Sequence, residues 1–177
     1  MRAIPALVVG LALPFLALHS ALVGLVALAI LLAGTAVALW VGRALVPGEA
    51  GRWPLLTAAW SAVAAVVALA LALAAPTATA LALTVAAWGI ASGVLELRGW
   101  WRMRAVTEPR TLQLARDWRA VGLFTIVLGA VLLFVRDAVT LTGLINAYAV
   151  IVGVYHALAA LSARPARTNP EPERSEA

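Results

Sequence analysis

The chain contains no cysteine and no lysine, and only two histidines. Without cysteine there is no disulfide, iron–sulfur cluster, thiol-attached haem or cysteine nucleophile to consider. Charge is scarce as well. Only 12% of the 177 residues are charged, against about 25% in a soluble domain. No nucleophile–base set, HExxH-type zinc pattern or paired carboxylates occur, so the sequence predicts no catalytic, cofactor-binding or metal-binding residues and no enzyme. His19 and His156 fall on opposite sides of the arrangement derived below and cannot share a metal.

What fills the space left by charge is Ala, Leu and Val in long runs. The hydrophobic fraction is 64% and the mean hydropathy +0.99. Runs of about 17–25 apolar residues are long enough to cross a hydrocarbon core of about 30 Å as helices. The sequence therefore predicts an all-α integral membrane protein. The net charge of +5 does not indicate nucleic acid, because all thirteen basic residues are Arg clustered at the ends of apolar runs. No basic face with interleaved aromatics lies outside them. The expected partner is the lipid bilayer, with room for a homo-oligomer and no small-molecule ligand indicated.

Between Ala3 and Val41 no charged residue occurs, and "LHSA" around His19 and Ser20 divides this stretch into two spans, near 4–18 and 21–41. Pro14 should kink the first by removing a backbone hydrogen bond. A linker with Pro47, Gly48, Glu49, Gly51 and Arg52 leads to a third span, which starts at Trp53 with Pro54 in its first turn and ends near 75. "PTAT" from Pro76 turns the chain into a fourth span, near 79–97. Residues 98–119 read as the one substantial polar loop. A fifth span near 120–135, a turn at Arg136 and Asp137, and a sixth span near 141–161 complete the set. The tail 164–177 is rich in proline and charge and should be disordered.

"AWGIASGVLEL" from Ala87 and "AYAVIVGVYHAL" from Ala147 place Trp88 with Tyr148, Gly93 with Gly153, and Glu96 with His156. Gly34, Gly93 and Gly153 are 59 and 60 residues apart, each late in the second helix of a pair. The expected plan is thus six transmembrane helices in three hairpin repeats, about 3–43, 53–102 and 116–163, within a membrane domain covering 1–163. The first repeat is the loosest match, having Ala29 at the aromatic position.

Arginine sets the orientation. Arg2, Arg43, Arg52, the six of the polar loop and those of the tail share one side, and Arg136 alone lies on the other. The positive-inside rule places both termini in the cytoplasm, across the cell membrane. Trp40, Trp53, Trp100, Trp101 and Trp118 fall near the same boundary, as an interfacial belt would. The alternative is a cleaved signal peptide ending at "LALHSA", which would strand the second helix without a partner.

Small residues at helical spacing, Gly89 with Gly93, Gly143 with Ala147 and Ala149 with Gly153, point to close helix packing in lipid. Asn146, Thr140, Thr142, Ser92 and Tyr148 point to interhelical hydrogen bonds. Ionisable groups inside a membrane are expensive and carry a functional hypothesis by default. Two qualify, Glu96 and His156, at matching repeat positions where they could approach and titrate as a proton-responsive pair. The structural alternative has Glu96 reaching toward Arg98 at the interface and His156 bonding nearby backbone.

The phrases "AWGIASGVLELRGWWRMR" and "GLINAYAVIVGVYHALAAL", set in three helix pairs, resemble the HdeD-type family of small bacterial multi-pass membrane proteins. That resemblance implies a non-enzymatic role in acid or envelope stress resistance and carries over no binding residues. A small transporter or channel subunit is the rival reading, and a scaffold using the Arg-rich loop a third.

Overall fold

The computed structural model describes residues 2–16, 19–45, 51–104 and 109–162. The expected disordered tail and the linker residues Pro47, Gly48 and Glu49 lie outside them. Among the described residues every regular element is helical: α1 (Ala3–Ala12), α2 (Ala21–Gly42), α3 (Arg52–Ala74), α4 (Ala78–Met103), α5 (Pro109–Leu132) and α6 (Ala138–Ser162).

Three of these helices begin with the same device. Ser20 Oγ accepts the backbone N–H of Val23, Thr77 Oγ1 that of Ala80, and Asp137 Oδ1 that of Thr140, at 3.3, 3.1 and 2.7 Å. A side-chain oxygen in this position satisfies one of the N–H groups a helix start leaves without a partner. The short turns into α2, α4 and α6 therefore stop one helix and start the next within a few residues.

Four helices, α2, α3, α4 and α6, are long and apolar enough to cross a membrane. The outer surface agrees with that setting, since Leu73 is 81% and Phe134 82% exposed, as no water-facing surface would favour. α1 is shorter. Its α-helix stops at Ala12 and a 3-10 turn carries Leu13–Phe15, so Pro14 ends the helix where a kink was expected. α5 carries Arg116, Asp117 and Arg119 midway, which leaves only its second half apolar.

The expected polar loop is mostly helix: α4 runs on to Met103 and α5 starts at Pro109. Arg, Leu, Gln and Ala are good helix formers, so polarity here does not mark where the helices end. Trp53 and Trp118 also depart from expectation. They are buried with Met103 and Ala115 in a small core at the arginine-rich end, while Trp40 and Trp101 remain exposed there. Arg43 stacks 4.0 Å over Trp40, and Arg104 3.4 Å over Trp101.

The most extensive packing pairs α2 with α3, α4 with α5, and α6 with α1. These are not the helices joined by short turns; each joins the second helix of one hairpin to the first of the next. Lipid tails offer helices no hydrophobic gain from association, so close backbone approach must provide much of the attraction. A Cβ at Gly93 would stand 2.5 Å from the Gly122 carbonyl oxygen and 2.5 Å from Ile126, and one at Gly89 2.8 Å from the Thr125 carbonyl oxygen. Across α6 and α1, Gly153 meets Leu7 and Gly10 meets Val150. Gly143 does not follow the expectation of a packing glycine. It is exposed, and nothing within 4 Å would meet its Cβ, because it lies on the outward face of α6. Gly34 packs against Pro5 of α1 and not against α3.

Leu25, Leu28, Leu32, Ala68, Leu81, Val85, Leu132 and Leu141 form the centre of the main core. Buried hydroxyls are satisfied within their own helices: Thr57, Thr84, Ser92 and Thr125 each donate to the carbonyl four residues back. The expected interhelical bonds are accordingly fewer. Tyr148 makes one, whereas Thr142 Oγ1 and Asn146 Oδ1 have no partner among the described residues.

Candidate functional site

The two aromatics of the repeated phrase meet in the bundle. Trp88 on α4 and Tyr148 on α6 pack edge to face, with ring centroids 6.0 Å apart. Such a pair contributes about 0.5–1.5 kcal/mol beyond its buried area. Each is held by the helix preceding its own. Trp88 Nε1 donates to Ser61 Oγ on α3 at 3.1 Å, and the Tyr148 hydroxyl shares a 2.8 Å bond with Thr125 Oγ1 on α5. An indole N–H and a phenol buried this deeply need such partners.

Two helical turns further along, the same helices bring in the ionisable residues. Glu96 lies eight residues after Trp88, and His156 eight after Tyr148. Glu96 is 4% exposed and faces the interior, whereas Arg98 is exposed on the outer face, so Glu96 does not reach toward Arg98. Its partner is Arg2, 94 residues away at the start of α1, whose guanidinium forms an ion pair with Glu96 Oε1. Nothing in the sequence marked Arg2 for this; it reads there only as one more positive charge on the cytoplasmic side.

Arg2 also relates Glu96 to His156. It lines one cavity of about 10 Å³ together with Thr57 and Glu96, and a second of about 20 Å³ together with Thr35, Trp88, Tyr148 and His156. Glu96 Oε2 and His156 Nε2 are buried with no hydrogen-bond partner among the described residues. The expected direct Glu96–His156 couple is thus replaced by two groups gathered around one guanidinium. A cavity of about 350 Å³ between α1 and α2 is lined by apolar residues such as Val8, Leu13 and Ile30 and offers no chemistry.

Two carboxylates outside the apolar spans respond to acid in opposite senses. Burial raises the Asp117 carboxyl above its ordinary 3.8, partly offset by the 2.9 Å bond from the Tyr155 hydroxyl. The Thr140 backbone N–H chiefly holds Asp137 below 3.8. Asp117 binds its proton more readily folded than unfolded, so its contribution to stability rises as pH falls through its raised value. Asp137 contributes stability above 3.8 and loses it as pH falls through its lowered value. Unfolding measured against pH should show Asp117→Asn losing the acid-side gain and Asp137→Asn losing the acid-side fall. Identical pH profiles for both variants and the parent would refute these assignments.

No protein-family model, curated protein or solved structure matches the chain.

Proposed function

We propose that the chain is a non-enzymatic, six-span protein of the bacterial cell membrane, with both termini cytoplasmic, that serves acid or envelope stress resistance. The observation that carries this reading is the part-buried Arg2–Glu96 ion pair, its carboxylate buried and His156 beside it, inside an otherwise apolar bundle. Ionisable groups are retained in such surroundings at a large energetic cost and mark function by default.

Several contacts support the three-hairpin plan. The same 60-residue shift carries Gly93 to Gly153 and Ile90 to Val150, and the same 119-residue shift carries Leu7 to Ile126 and Gly10 to Gly129. Under these shifts the α4–α5 contacts, Gly93 with Ile126 and Gly129 with Ile90, become the α6–α1 contacts. The repeated helix caps and the equivalent α2–α3, α4–α5 and α6–α1 interfaces favour the same plan. At 1.5 Å per residue α1 is only about 15 Å long and the apolar half of α5 about 20 Å, so a spanning role for them requires local thinning of the bilayer. Cleavage of α1 as a signal peptide would leave Glu96 unpaired and bare the faces of Gly34 and Gly153. The arginine–tryptophan stacks at one end favour the cytoplasmic placement of that end.

Cavity size favours this role over transport. The polar cavities, about 10 and 20 Å³, have room for water and not for a solute. The HdeD-type phrases around Trp88 and Tyr148, which lead to Glu96 and His156, point the same way. The test is survival of a deletion strain after acid shock, complemented by the parent chain or by Glu96→Gln/His156→Ala. Deletion should sensitise the cells and only the parent chain should rescue them. Unchanged survival on deletion would remove the stress role, and rescue by the double variant would remove the two residues from it.

A further inference from the structure

The geometry points to a buried water site in the cavity between α1, α2, α4 and α6, where one water joins His156 Nε2 to the Arg2 guanidinium. Arg2 then holds Glu96 directly and His156 through water, and the three side chains form one hydrogen-bonded unit. The part this unit plays in acid response rests on the reading above; the water does not.

Three observations lead there. The first is size. A cavity needs roughly 10–15 Å³ of probe-occupied volume to hold a water, and this one has about 20 Å³. The neighbouring cavity beside Glu96, at about 10 Å³, is at the lower limit and takes no part in the argument.

The second is the chemistry of the wall. A buried water persists where two to four polar groups can bind it, whereas apolar cavities of larger volume stay dry. Arg2, Thr35, Tyr148 and His156 all line this cavity. The guanidinium has five N–H donors and no acceptor, and one Glu96 oxygen cannot use them all. A water accepting from Arg2 keeps two hydrogens to give, and an imidazole nitrogen is a suitable acceptor.

The third is the unmet partner. His156 Nε2 is buried without a hydrogen bond among the described residues. Buried polar atoms without a protein partner are rare in native structures, and an unseen water is one of the few ordinary explanations. α2 presents Leu31 and Thr35 to the cavity where α4 and α6 present Trp88 and Tyr148. Ala29 stands at the position matching those two rings.

The test uses the full chain in lipid bilayers, labelled at histidine, with His19→Asn so that His156 is the only histidine observed. Solid-state NMR then reads magnetisation transfer from water to the His156 ring. The parent should show transfer at His156. Ala6→Val, which fills the cavity from α1 without changing a polar group, should abolish it. Thr35→Val keeps the volume and removes a polar partner, and should reduce the transfer even if Ala6→Val fails to fold. Absence of transfer in the parent, or equal transfer in the parent and Thr35→Val, would overturn the site. Either outcome is read on purified protein and leaves the survival experiment to stand or fall separately.

Discussion

Arg2→Met should destabilise the bundle by up to about 3–5 kcal/mol, the consequence of removing one member of a buried ion pair, with the partial exposure of the guanidinium drawing the loss toward the lower end. Glu96 is 4% exposed, and Arg2 is its only partner among the described residues. Loss of the guanidinium therefore leaves a carboxylate in a medium that solvates charge poorly. The double variant Arg2→Met/Glu96→Gln should recover most of the loss, because no net charge then remains buried. Reversible unfolding in mixed micelles measures both. A double variant as unstable as Arg2→Met would show that α1 is held by packing and that the ion pair contributes little. The comparison also bears on function. If the pair is retained for stability alone, the double variant should rescue acid survival as well as the parent does.

A methyl group added at Gly93 should cost about 1–3 kcal/mol or more, as overpacking generally does. The obstruction is backbone, the Gly122 carbonyl oxygen at 2.5 Å, which moves only if α4 and α5 separate. Gly153→Ala should cost less, since its nearest neighbours are Leu7 side-chain atoms at 2.9 Å that can shift. Gly143→Ala should be neutral or stabilising by up to about 1 kcal/mol, because alanine is the better helix former and nothing opposes it. Unfolding of the three variants should give the order Gly93, Gly153, Gly143. If Gly143→Ala proves as damaging as Gly93→Ala, then that face of α6 is packed against something outside the chain, and a second copy is the first candidate to test.

Much of the helical plan was legible because it is written in local chemistry. Apolar runs of spanning length, prolines at 14 and 54, and the polar turns at 19–20, 76–77 and 136–137 needed no neighbours to be read. The three caps are also present in the sequence as Ser20, Thr77 and Asp137, each three residues before the N–H it binds. The far end of α4 is not legible in hydropathy, for a physical reason. A helix continues as far as its residues allow, and arginine allows it readily, so the change in polarity at Arg98 does not say where α4 stops.

The sequence by itself determined the helical membrane class, the turns, and the three matched positions, because hydropathy and repeat spacing are properties of the chain alone. Only the tertiary structure decided what those positions meet. It closed α1 onto α6 and so delivered Arg2 to Glu96 across 94 residues. It turned Gly93 inward and Gly143 outward, though both belong to small-residue patterns of identical spacing. Burying Trp53 and Trp118 while leaving Trp40 and Trp101 exposed was likewise its doing. Where helices are apolar on nearly every side, as α2 and α3 are, hydrophobicity does not say which face turns inward; that is settled by which backbones can approach most closely and which charge must find its partner.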